Sequence, residues 1–177
     1  YKKLLERALA ACGDSSLVHY EEAVALYPEI FKGCCMYRVK AYDGITKLLD
    51  FLKENHIKTA VLSNKPHPRT LDNVEGVFGK GRFDLVYGER EDKGIKKKPA
   101  PDGVWALMEE LGVGREEVLY LGDTNTDMRT GRNAQVDTVG VTWGFRDREE
   151  LEAFHPKLIA DHPMDVVRFI KDVNGIG

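Results

Sequence analysis

Residues Val118–Asp127 read VLYLGDTNTD: a short apolar run, Val118–Leu121, stops at Gly122-Asp123 and passes into a polar helical segment, Asn125–Ala134. A buried strand that ends in Gly-Asp and enters a helix suits the carboxyl edge of a parallel sheet, where open α/β folds place their sites. Working outward, four further runs have strand character: Ile57–Leu62 (IKTAVL), Phe83–Tyr87 (FDLVY), Thr138–Val141 and Leu158–Ala160. Helical patterns separate them. Asp43 is the expected cap of a helix carrying Ile45, Leu48, Leu49 and Leu52 on one face. Another helix covers His67–Phe78, and Pro101 opens one with Val104, Leu107, Met108 and Leu111 facing inward. Asp147 and Glu150 have capping-box spacing for a helix at Arg148–Phe154, and Pro163 begins the last helix, with Val166, Val167 and Ile170 inward. Five apolar strands alternating with helices predict an α/β core, its parallel sheet covered on both faces, over residues 41–177.

Residues 1–40 have a different texture. Leu4, Leu5, Ala8, Leu9 and Cys12 follow a helical period that Gly13-Asp14 ends. A second helix is expected from Leu17 to Tyr27, broken or kinked at Pro28, with a short third segment carrying Ile30 and Phe31. No strand signal occurs there, so this part is an extra helical layer or a separate small domain.

Composition narrows the function classes. The 177 residues carry 26 Lys+Arg against 29 Asp+Glu, a formal charge of −3 that gives no support to a nucleic-acid or anionic-membrane surface. With 42% hydrophobic and 31% charged residues the chain is an ordinary globular protein rather than a disordered one. No apolar run approaches the roughly 18 residues of a membrane helix. Cys12, Cys34 and Cys35 form no CxxC pair, and the histidines are scattered, which disfavours a zinc site and suits thiols in a reducing compartment. The amino terminus reads as an amphipathic helix rather than a secretory signal, so the expected location is cytoplasmic.

Three polar groups fall at strand ends or in the loops that leave them: Ser63-Asn64, Lys98-Pro99, and Asp123 with Asp127. Each alone has a plain reading. Ser-Asn after a strand is commonly a turn, Lys98 belongs to the solvated run Lys96–Lys98, and Asp123 suits a helix cap. Together they make a coherent phosphate site. Two carboxylates one helical turn apart offer hard oxygens to Mg²⁺ or its waters, while a hydroxyl and an ammonium hold phosphoryl oxygens. Phosphoryl transfer needs mainly positioning and charge neutralisation, which these groups supply. No nucleophile or acid/base pair precedes Ser63 on a strand end.

With those residues in place, the chain resembles the haloacid dehalogenase-like hydrolase superfamily, in its phosphoglycolate phosphatase-like branch. VLSNK at Val61–Lys65 is similar to the family's second motif, KKKPAPDGV at Lys96–Val104 to its third, and YLGDTNTDM at Tyr120–Met128 to its fourth. Val139–Asp147 (VGVTWGFRD) resembles the segment after the fourth motif, and AYDGI the re-entry from cap to core. The resemblance implies a Rossmann-like three-layer α/β/α core with a partial helical cap in residues 1–40. It implies Ser63 and Lys98 as phosphate-binding groups, Asn64 as a further substrate-side residue, Asp123 as a direct Mg²⁺ ligand and Asp127 as a supporting carboxylate. The expected substrate is a small phosphorylated metabolite and the expected assembly a monomer or homodimer. The family's first motif, a strand ending in DxDGT that holds the nucleophilic Asp, does not occur in these residues. That strand lies in the family at the sheet centre, between those ending at Ser63 and Leu121, so the chain is expected to be part of a longer one. Alternative readings are a phosphohexomutase, a pyrophosphatase or nucleotidase of the same superfamily, and a non-catalytic pseudo-enzyme. A receiver-like signalling domain is disfavoured, because its acidic pocket precedes the lysine.

Overall fold

A computed structural model describes residues 1–176. They divide into two compact units, Tyr1–Val39 and the stretch from Lys40 onward. The first unit contains α1 (Lys2–Ala11) and α2 (Tyr20–Cys34). Neither helix has a fully buried residue. Asp14 ties the connection between them, its carboxylate accepting from the Val18 and His19 backbone N–H groups at 2.9 Å each. Pro28 does not end the second helix as its ring chemistry predicts; α2 runs through it and absorbs Ile30 and Phe31. Stacked rings span that position: Tyr27 lies against Tyr1 at 4.9 Å and against Phe31, one turn on, at 5.3 Å. That stack holds the turns on either side of the lost hydrogen bond.

The second unit runs α3 (Ile45–Glu54), β1 (Ala60–Pro66), α4 (His67–Phe78), β2 (Leu85–Glu89), α5 (Asp102–Leu111) and β3 (Leu119–Gly122). It continues with α6 (Asn125–Ala134), β4 (Asp137–Val141), α7 (Arg148–Glu152), β5 (Leu158–Ala160) and α8 (Pro163–Asn174). Every strand pairing is parallel, as the alternation requires. The ladders form two sheets, β1-β2 and β3-β4-β5. Helices cover both faces of the larger one. On one side Leu48 of α3 and Val166 and Val167 of α8 pack with Val139, Val141 and Ala160 of the strands. On the other, Val104 and Met108 of α5 pack with Ala134 and Val136, and this cluster reaches both Leu62 of β1 and Tyr120 of β3. The two sheets are therefore held side by side through α5 rather than through a shared ladder.

Local chemistry moves some boundaries from their expected places. Ile57–Thr59 stay outside β1: the Ile57 N–H goes to the Leu52 carbonyl at 2.9 Å and the Thr59 N–H to the Asp84 carboxylate at 2.6 Å. Gly44, not Asp43, stands at the start of α3, with no side-chain cap. Asp147 makes no side-chain cap either, and α7 ends at Glu152 rather than Phe154. Glu150, the expected reciprocal partner, lies 3.9 Å from Arg146 Nε, and its Oε1 is buried without a hydrogen bond from the described residues. The last helix does start at Pro163, with His162 and Asp165 exchanging a capping box. Among the described residues no helix is long and apolar enough to cross a membrane.

Candidate active site

The carboxyl ends of β1 and β3 carry the groups singled out in the sequence. On β1 the ladder runs Leu62↔Tyr87 and then Pro66↔Glu89, so three residues of β1 face one of β2. This bulge releases Ser63, Asn64 and Lys65 from regular pairing, as bulges beside functional sites do. Ser63 Oγ accepts the Lys65 N–H at 3.1 Å, which fixes the turn. Both ends of the Asn64 amide hold Lys98: its oxygen accepts the Lys98 N–H at 2.8 Å and its nitrogen donates to the Lys98 carbonyl at 2.9 Å. Asn64 thus clamps the backbone of the loop that presents Lys98.

The lysine run separates by partner. Lys96 is exposed. Lys97 pairs with Glu89 at 2.9 Å and Glu91 at 3.1 Å. Lys98 turns inward, its Nζ donating to Asp127 Oδ1 at 2.7 Å and to the Leu62 carbonyl at 3.1 Å. With side-chain exposures of only 15% and 8%, the Lys98–Asp127 pair is nearly dry, where a charge needs its partner. An ammonium has three N–H groups, so two bonds leave one for an incoming anion.

Asp127 sits in the first turn of α6, and Thr124 rather than Asp123 is its N-cap. Thr124 Oγ1 accepts the Asp127 N–H at 3.2 Å and donates its own proton to Asp127 Oδ2 at 2.6 Å. Tyr120 on β3 donates weakly to Asp127 Oδ1 at 3.4 Å. Burial first, then the Asp127 charge, pushes the Tyr120 hydroxyl well above its ordinary value, so it stays a neutral donor. Gly122 admits this arrangement, since a Cβ there would lie 2.1 Å from the Asp127 Cβ. Both Asp127 oxygens are committed within the protein.

Asp123 is placed differently. Its Oδ2 accepts the Phe145 N–H at 3.0 Å, and its Oδ1 receives no hydrogen bond from the described residues. Among those residues no group of three or more His, Cys, Asp or Glu side chains is arranged to hold a metal. Mg²⁺ does not need one: it keeps several waters and is commonly held by one or two carboxylates plus substrate phosphate. A half-buried Asp123 with one oxygen free of hydrogen bonds fits that demand, whereas both Asp127 oxygens already accept hydrogen bonds, from Lys98, Tyr120 and Thr124. Ser63, Lys98 and Asp127 are drawn to one place by Leu62, Asn64 and Thr124. Sequence reasoning weighed Asn64 and overlooked Thr124, although its position three residues before Asp127 is a capping-box spacing.

A model of the haloacid dehalogenase-like hydrolases matches residues 5–141. The chain belongs to that family. A phosphoglycolate phosphatase of Aquifex aeolicus (strain VF5) is 30% identical over 150 residues, covering 85% of this chain and 68% of the relative. The pyrophosphatase PpaX of Listeria monocytogenes serotype 4a (strain HCC23) is 26% identical over 154 residues, 87% of this chain and 70% of that protein. Among solved structures, a protein of Lactobacillus delbrueckii subsp. bulgaricus, itself proposed to be a phosphoglycolate phosphatase, superposes with a TM-score of 0.80. It is 30% identical and shares 92% of this chain and 74% of its own. The α/β architecture read from the alternation of strands and helices is the one these haloacid dehalogenase-like relatives share.

Proposed function

We propose that the protein is a Mg²⁺-dependent phosphatase acting on a small phosphomonoester of the phosphoglycolate kind. The observation that carries this reading is the inward turn of Lys98, locked between Asp127 and the Leu62 carbonyl at the mouth of β1. A lysine held there neutralises a phosphoryl group delivered to the strand ends, and the Ser63 hydroxyl adds a hydrogen bond to it. Asp127 works through Lys98, fixing its ammonium. Asp123 anchors the metal, which when bound supplies charge neutralisation to the phosphoryl oxygens. In this reading an Asp carboxylate outside these 177 residues attacks phosphorus, the bond from phosphorus to the leaving oxygen breaks as that oxygen takes a proton from water or a neighbouring carboxylic acid, and water then hydrolyses the aspartyl-phosphate to free carboxylate and phosphate. Residues 1–40 serve as part of a cap that selects the leaving group.

Similarity to both a phosphoglycolate phosphatase and a pyrophosphatase favours keeping inorganic pyrophosphate as a second substrate reading. Phosphate release by the full-length protein from phosphoglycolate, pyrophosphate and sugar phosphates, with and without Mg²⁺, separates the two. Asp123→Ala is expected to abolish the Mg²⁺-dependent release. Undiminished turnover in that variant rules out the metal role given to Asp123.

A further inference from the structure

We infer that the loop after β4 is a positioning element for the metal-anchoring carboxylate, with Gly144 and the Phe145 N–H as the seat of Asp123. The inference rests on the metal role of Asp123 proposed above. The loop is brought to that carboxylate by sheet register: β3 and β4 pair up to Gly122↔Gly140, so the two strands release their loops side by side. It is held from below. Thr142 donates its N–H to the Ala160 carbonyl at 3.0 Å and its hydroxyl to Asp161 at 2.8 Å, and Trp143 packs on the apolar cluster around Val141.

Against this base the loop closes tightly on Asp123. A Cβ at Gly144 would lie 2.2 Å from the Asp123 Cβ and 2.2 Å from its Oδ2, so no larger residue fits without displacing the aspartate itself. The Phe145 N–H occupies Oδ2 at 3.0 Å and so stops rotation of the carboxylate. The remaining oxygen, Oδ1, is then the one presented. A ligating carboxylate held by a backbone donor is better oriented than a free rotor, and loss of such a support typically weakens metal binding. The Phe145 ring takes no part in this: it is 85% exposed, and only its backbone reaches Asp123.

The test uses the full-length protein and Mn²⁺ as a spectroscopic probe, titrated by electron paramagnetic resonance, with Mg²⁺ activation of phosphate release as the second readout. Gly144→Ala is expected to weaken Mn²⁺ binding about 10–100-fold. Its turnover should recover at saturating Mg²⁺ to within about threefold of wild type, because a misplaced anchor is overcome by mass action. Phe145→Ala keeps the N–H and should bind Mn²⁺ within about twofold of wild type. Phe145→Pro, which deletes the donor and sets a ring carbon against Oδ2 in its place, should also dislodge the carboxylate, behave like Gly144→Ala and stand in for it where that variant does not fold. Wild-type Mn²⁺ affinity in Gly144→Ala and Phe145→Pro, or turnover that stays depressed at every Mg²⁺ concentration, overturns the inference. Asp123→Ala distinguishes the underlying reading: if it too retains wild-type Mn²⁺ affinity, the metal assignment fails rather than the seat.

Discussion

At the scale of single residues the site is governed by a nearly dry ion pair. Lys98 and Asp127 meet at 2.7 Å with side-chain exposures of 15% and 8%, so removing either partner strands a charge. Lys98→Ala is expected to cost about 3 kcal/mol of stability in urea unfolding, and Lys98→Ala combined with Asp127→Asn less than the sum of the two single changes. Strict additivity in that cycle means the pair does not couple. Side-chain chemistry could not make this choice within Lys96–Lys98, because the three residues are identical; only the resemblance of Lys96–Val104 to a family motif singled out Lys98. Their partners are 29 residues downstream for Lys98 and 8 and 6 upstream for Lys97. Asn64 shows the same limit: its place after a strand was visible, its clamp on Lys98 was not.

At the scale of elements, α6 and α7 are fastened by different means. Thr124 caps α6 while also bonding Asp127, so Thr124→Ala should cost about 1 kcal/mol in thermal or urea unfolding from the cap alone. It should also lower phosphate release by loosening Asp127, a loss that a plain capping defect does not produce. The short α7 depends on Leu151, fully buried beside β4, and Leu151→Ala should cost about 2–5 kcal/mol as a cavity. A second tether joins α7 to the end of β5: Arg148 Nη2 donates to Asp161 Oδ2 at 2.5 Å. The Thr142 hydroxyl, foremost, and the Arg148 charge hold the Asp161 carboxyl below its ordinary 3.8. Its folded value lies under its unfolded one, so its contribution is present above pH 3.8 and is lost as acid protonates it below that value. Asp161→Asn should therefore flatten the stability–pH curve on that acid side only, as read by urea midpoints. An unchanged acid limb counts against the tether. Strand and helix order were readable from apolar period, but caps were less so. Asp147 and Glu150 have the right spacing, yet Asp147 makes no cap and Glu150 Oε1 is buried without a hydrogen bond from the described residues, because spacing alone does not set the backbone geometry that a cap needs.

At the scale of the whole molecule, the two units differ in how much they bury. Helices α1 and α2 contain no fully buried residue, whereas β4 carries Val139 and Val141 in the core. Amides of the first unit should exchange with deuterium well before those of β4, and equal protection of the two would contradict this ordering. The sequence by itself determined the alternation of five strands with helices, the strand ends where polar groups collect and the resemblance in three motifs. These are local in the chain, since side-chain period and turn chemistry act over a few residues. Only the tertiary structure decided that α2 passes Pro28, that the α5 cluster is what bridges β1 and β3, and that Lys98 also bonds the Leu62 carbonyl. It also decided that Gly144 lies against Asp123. Each of these outcomes depends on groups far apart in sequence, brought together by burial of the same core, and that proximity has no signature in the chain until the core forms.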